Sequence, residues 1–109
     1  MSTRILDGLP LKDVVARIDD LTDEDVICAK WISDWTLESF AYVTRIPEFT
    51  DLRTLGPIPD YFLEVFIARE ILENWSVLRG GRKPTLDEKC EALIYFAKND
   101  ADIPLQVRP

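Results

Sequence analysis

Five of the eight residues in DDLTDEDV (19–26) are carboxylates. That density suits three kinds of chemistry: holding a hard cation, acid–base work by paired carboxyls, or attracting a basic surface. A calcium loop of the EF-hand type needs oxygen ligands at its positions 1, 3 and 5, a glycine at 6 and a glutamate at 12. Counted from Asp23, position 3 is Asp25, but positions 5 and 6 are Ile27 and Cys28. Counted from Asp19, position 3 is already Leu21. The register fails both ways, so no metal ligands are assigned here and no cofactor is expected.

Catalytic machinery is sparse elsewhere. The chain has no histidine, which removes the commonest general base and the commonest zinc ligand. Cys28 and Cys90 are the only cysteines, with no CxxC. Each sits in an apolar stretch, and both are expected to be buried, inert thiols. The stretch LRGGRKPT (78–85) gathers Arg79, Arg82 and Lys83 around two glycines. A phosphate loop would need those glycines after a strand and a Lys-Ser or Lys-Thr pair. Here they follow a helical pattern and Lys83 precedes Pro84, so a helix cap with dipole-complementing cations is the plainer reading. Asn99, Asp100 and Asp102 close the last helical pattern. Paired carboxylates there would suit glycoside hydrolysis, but no cleft is evident in so short a chain, and a structural role for Asp100 is expected. No catalytic residue is assigned, and the protein is read as a non-enzyme.

The third chemistry remains. Asp19, Asp20, Asp23, Glu24, Asp25, Asp34 and Glu38 stand against Lys30 alone, a net −6 of the chain's −7. The rest of the chain is close to neutral. Trp31 and Trp35 flank Asp34 and are either core residues or the buried anchor of a contact surface. Two readings of the acidic segment stay open: a solvated turn, or a face that steers a basic macromolecule. The excess of acid disfavours nucleic acid and anionic membranes as partners.

With 109 residues, 47% of them apolar and 30% charged, the sequence predicts a single domain, 1–109, with one hydrophobic core. No apolar run reaches bilayer-spanning length and the opening MSTRILDGLP does not read as a secretory signal, so a cytoplasmic location is expected. Residues 9–21 read as a helix, with Leu11, Val14, Val15, Ile18 and Leu21 on one stripe. Residues 25–31 and 39–46 read as strands, and 47–60, with three prolines and a glycine, as a loop. YFLEVFI (61–67) fits a strand or a helix, and its aromatic and β-branched content favours the strand. Residues 68–79 and 86–99 read as helices, the second opened by the capping box of Thr85 and Glu88. The expected class is α+β: a small antiparallel sheet of about three strands with helices on one face, in the order helix, strand, strand, strand, helix, helix.

The C-terminal part, YFLEVFIAREILENW followed by TLDEKCEALIYFAKNDADI, resembles a family of small, functionally uncharacterised bacterial domains. Leu63, Ile71, Asn74, Glu88, Ala92, Tyr95, Asn99, Asp100 and Ile103 carry the likeness, which covers about 45 residues. Trp75 and Asp102 depart from it, standing where a small residue and an aromatic are expected. The resemblance implies an immunity protein, a cytoplasmic inhibitor that binds a cognate toxin. Joined to the charge, it yields the working expectation: a basic, nuclease-type toxin docks on Asp19, Asp20, Asp23, Glu24, Asp25, Trp31, Asp34, Trp35 and Glu38, the chain itself being a monomer or weak homodimer. A self-associating structural or adaptor domain is the alternative.

Overall fold

A computed structural model describes residues 4–45 and 60–102. The fold is α+β: a four-stranded antiparallel sheet with helices packed against it. The strands are β1 (Arg4–Pro10), β2 (Asp25–Ala29), β3 (Phe40–Arg45) and β4 (Tyr61–Glu64), in the spatial order β1-β3-β2-β4. The helices are α1 (Leu11–Ala16), α2 (Val65–Val77) and α3 (Leu86–Asn99), and a 3₁₀ turn at Ile18–Asp20 follows α1. No helix among the described residues is long and apolar enough to cross a membrane.

Strand alternation sorts the core. Ile27, Ala29, Ala41, Val43 and Leu63 turn to the helices and join one large buried cluster. Val26, Cys28 and Tyr42 lie on the opposite face in a second, smaller cluster. The stripe Leu11, Val14, Val15, Ile18 and Leu21 is buried as its spacing predicts, at 7% exposure or less. Burial of apolar side chains at about 25 cal/mol per Å² drives this packing.

Three expectations need correction. The sheet has a fourth strand, β1, because Gly8 takes φ 73° inside a register shift between Asp7 and Leu9. That bulge, with Asp7 and Pro10, breaks the alternation that would have marked a strand. The first helix is far shorter than residues 9–21: Pro10 ends β1, and α1 gives way at Arg17 to the 3₁₀ turn. The stretch 61–67 divides at Val65, strand before and helix after. The predicted loop at 47–60 lies outside the described residues except for Asp60.

The local chemistry of the last two helices is as read. Gly80 and Gly81 adopt φ 69° and 88°, which ends α2 in the left-handed region where a side chain would be strained. Thr85 and Glu88 form the reciprocal capping box of α3. Asp100 takes the left-handed cap position, φ 52°, and its N–H donates to the Phe96 carbonyl at 2.7 Å.

Candidate functional site

A buried strand interrupts the acidic segment. β2 runs through its middle with all five residues buried, and separates the charges into two groups. A five-residue strand spans roughly 13 Å between its end residues. Asp19, Asp20, Asp23 and Glu24 lie before it, and Asp34 and Glu38 after it, at the other end of the sheet.

The first group sits among bases. Asp23 pairs with Arg69 of α2 at 2.8 Å, and the Arg69 guanidinium also donates to the carbonyls of Ile18 (3.0 Å) and Leu21. Arg69 thereby ties α2 to the turn before β2. Glu24 lies within electrostatic reach of Arg45. Asp19 lines a groove of about 420 Å³ that also holds Arg69, Lys83 and Lys89. Its carboxylates are exposed, but cations offset them.

Asp25 is not a surface residue, which corrects its assignment to a docking face. It is 1% exposed, and its carboxylate accepts from the Thr22 N–H at 2.8 Å and from Arg45 Nε at 2.9 Å. Its charge closes the turn leading into β2 and clamps the end of β3. Such an internal role is invisible in sequence because Arg45 lies 20 positions away.

The second group stands on a pinned loop, residues 30–39. Leu11 N–H and Lys12 N–H donate to the carbonyls of Ser39 (2.8 Å) and Leu37 (2.9 Å). The loop thus satisfies two free donors at the start of α1, whose preceding Pro10 has no capping side chain. Glu38 pairs with Lys12 at 2.8 Å, and Asp34 with Lys98 near the end of α3 at 3.0 Å. The Lys98 contact and the Trp35 N–H hold the Asp34 carboxyl below its ordinary pKa. Ser33, between Ile32 and Asp34, has φ 62°, and the Asp34 N–H returns to the Ile32 carbonyl at 2.7 Å.

The two tryptophans divide the roles left open in the sequence. Trp35 is half-buried and donates Nε1–H to the Ala29 carbonyl at 2.9 Å. Its ring meets Phe62, a core residue, edge to face with centroids 5.1 Å apart. Trp31 meets Trp35 the same way at 4.9 Å, yet stays 53% exposed, beside Ile32 at 77%. Each such aromatic pair contributes about 0.5–1.5 kcal/mol beyond burial. A relay from core to surface therefore braces an apolar side chain that stays half in water.

The remaining candidates are structural. Arg79 and Arg82 hold their guanidinium carbons 4.1 and 4.6 Å from the Trp75 ring centre. Arg82 also grips Glu88 with two bonds, at 3.0 and 2.8 Å, and that contact lowers the Glu88 pKa to about 2. Both cysteines are free and buried, and burial pushes the Cys90 thiol up to about 11. Tyr42, pushed up to about 12 chiefly by burial, donates to Asp60 at 3.2 Å. Among the described residues no three Asp, Glu or Cys side chains gather as a metal-binding group.

No protein-family model, curated protein or solved structure matches this chain. The resemblance of the C-terminal stretch to small bacterial domains therefore stands on its residues alone.

Proposed function

We propose that this chain is a non-enzymatic binding protein of the immunity type, which neutralises a basic, nuclease-type toxin domain by direct contact. The observation that carries the reading is Trp31, half-exposed yet braced through Trp35 to Phe62. Leaving half of a large apolar side chain in water forgoes much of the stabilisation that full burial would give the free protein. Its bracing lowers the entropy cost of association, because the anchor is already in place. Asp34 and Glu38 flank it, and each is already close to a lysine. Carboxylates in that setting can exchange an internal lysine for a partner's lysine or arginine at small net cost, since exposed pairs are worth only about 0–1 kcal/mol. A nuclease gathers cations to hold phosphates, so a surface of carboxylates around an aromatic anchor complements it in charge.

The test is coexpression with the protein encoded by the adjacent gene, scored by growth and by nucleic-acid integrity. Protection is expected, with a stable complex on gel filtration and an association rate that falls as salt rises. Trp31→Ala with Ile32→Ser should abolish protection while costing the fold little more than the lost edge-to-face pair, about 0.5–1.5 kcal/mol, so that the chain stays folded at the assay temperature. Absence of a complex, or protection indifferent to both substitutions, refutes the reading. A chain that elutes as a stable homodimer by itself supports the self-associating alternative.

A further inference from the structure

Charges far apart in sequence meet beside α3. Glu38 reaches Lys12, and the same lysine lies in the field of Asp13 and of Asp87 in the first turn of α3. One turn further along α3 is Glu91, on the rim of an open depression of about 270 Å³. Ile94 and Tyr95 form the apolar part of that depression, and Lys98, paired with Asp34, closes its far rim. Asp87, Glu91, Tyr95 and Lys98 follow the i, i+4, i+8, i+11 positions of one helical face. Asp13, Glu38 and Asp87 thus gather at Lys12, while Glu91 and the Asp34–Lys98 pair border the apolar hollow: five carboxylates to two ammonium groups along this side of the fold. Lys30 does not offset them, because it lies over Phe40, 5.3 Å from the ring centre, on the sheet face away from the helices. At the Asp19–Glu24 end of the sheet Arg45, Arg69, Lys83 and Lys89 stand among the carboxylates, whereas on this side of α3 Lys12 and Lys98 meet five.

We infer that a basic, amphipathic segment of a partner protein docks along the outer face of α3, with its cations over Asp87, Glu91 and Glu38 and an apolar side chain seated over Ile94 and Tyr95. The surface continues through Asp34 to Trp31 and Ile32, so one partner can cover both. This inference rests on the reading of the chain as a binding protein, but it makes its own claim about where the contact runs and what chemistry the partner brings. Charge complementarity selects the occupant: an acidic segment would meet a net repulsion, and a second copy of this chain would bring the same excess of acid to the interface.

The experiment uses the full chain and two synthetic helical peptides of equal length, one of lysine and leucine and one of glutamate and leucine. Amide chemical-shift mapping should place the lysine–leucine peptide on residues 91–98 and on the Trp31 indole, with affinity falling steeply as salt rises. Glu91→Lys, on an exposed mid-helix position, should weaken that binding about fivefold or more, and Tyr95→Ser about tenfold, whereas Asp19→Lys with Asp20→Lys should change it less than about twofold. Equal binding of the glutamate peptide, shifts centred on residues 19–24, or an unaffected Glu91→Lys variant would each overturn the inference. So would sedimentation showing a dimer that Tyr95→Ser dissociates, because the occupant would then be a second copy. The two readings separate cleanly. If the peptide maps here but the chain protects no cell, the toxin-neutralising role falls and this surface stands. If the chain protects and Glu91→Lys protects equally, this surface falls and the role stands.

Discussion

Asp25→Ala offers the sharpest separation of fold from binding. The substitution removes the acceptor of the Thr22 N–H at 2.8 Å and the partner of Arg45 Nε at 2.9 Å, at a site 1% exposed. A hydrogen bond to a charged group contributes about 1.5–3 kcal/mol, and an unmet backbone donor costs about 1–3. The Arg45 side chain is 52% exposed, so water recovers most of what it loses, and its share is put at no more than about 1 kcal/mol. The expected destabilisation is about 2–4 kcal/mol. For a domain of this size that lowers the melting temperature by about 10 °C or more. Asp25→Asn keeps an acceptor for Thr22 and should cost about half as much. Asp19→Asn, on the exposed turn just before, should stay within about 0.5 kcal/mol. Urea and thermal unfolding followed by circular dichroism measure all three. Partner capture by the folded fraction of Asp25→Ala should equal that of the parent. A variant that unfolds like the parent but no longer binds would refute the reasoning, since it would make Asp25 an interface residue.

Three further outcomes follow from the same contacts. Trp35→Phe keeps a ring against Phe62 but loses the bond to the Ala29 carbonyl, so it should cost about 1–1.5 kcal/mol and raise the mobility of Trp31, read as lower fluorescence anisotropy. Glu88 has its pKa lowered from 4.5 to about 2 by Arg82 and Thr85, so its stabilisation is complete above pH 4.5 and fades as pH falls through the folded value. Glu88→Gln, which can keep the cap, should flatten the fall of the urea midpoint between those two pH values; an unchanged slope would show the Arg82 contact is not populated. Ser33→Gly relieves a side chain held at φ 62°, and should raise stability by up to about 1 kcal/mol in denaturant titrations; a loss of stability would place Ser33 in a contact that needs its hydroxyl.

What could be read from sequence was what short-range chemistry decides. The Thr85–Glu88 box needs only three residues of spacing, and the stripe from Leu11 to Leu21 needs only periodicity, which survives the change from α-helix to 3₁₀ turn because the buried side stays the same. β1 was hidden for the converse reason. Its bulge shifts the register at Gly8, so Leu6 and Leu9 pair with Val43 and Ala41 without the two-residue rhythm of a strand. The stretch YFLEVFI looked ambiguous because it is two elements, and its apolar residues serve the strand up to Glu64 and the helix after it.

The site was harder to read because charge was counted along the chain, while a partner meets charge in space. Residues 19–38 hold most of the net charge, yet β2 carries that segment from one end of the sheet to the other and buries Asp25 on the way. A window centred on a buried strand joins charges that stand at the strand's two ends, roughly 13 Å apart for five residues. The opposite error hid Asp87 and Glu91: α3 holds three acids (Asp87, Glu88 and Glu91) against two bases (Lys89 and Lys98), an excess of one that hardly shows in the count. α3 turns Lys89 toward the groove that also holds Asp19, away from Glu91, and so segregates what the tally had cancelled. A helix separates like from unlike every few residues, and a strand separates one end from the other. An electrostatic surface can therefore be sought in sequence only after the elements are drawn, by summing charge over faces and over strand ends. Summed in that way, the surface proposed for the partner runs along α3 and the loop from Trp31 to Glu38, with Trp31 as its fixed point.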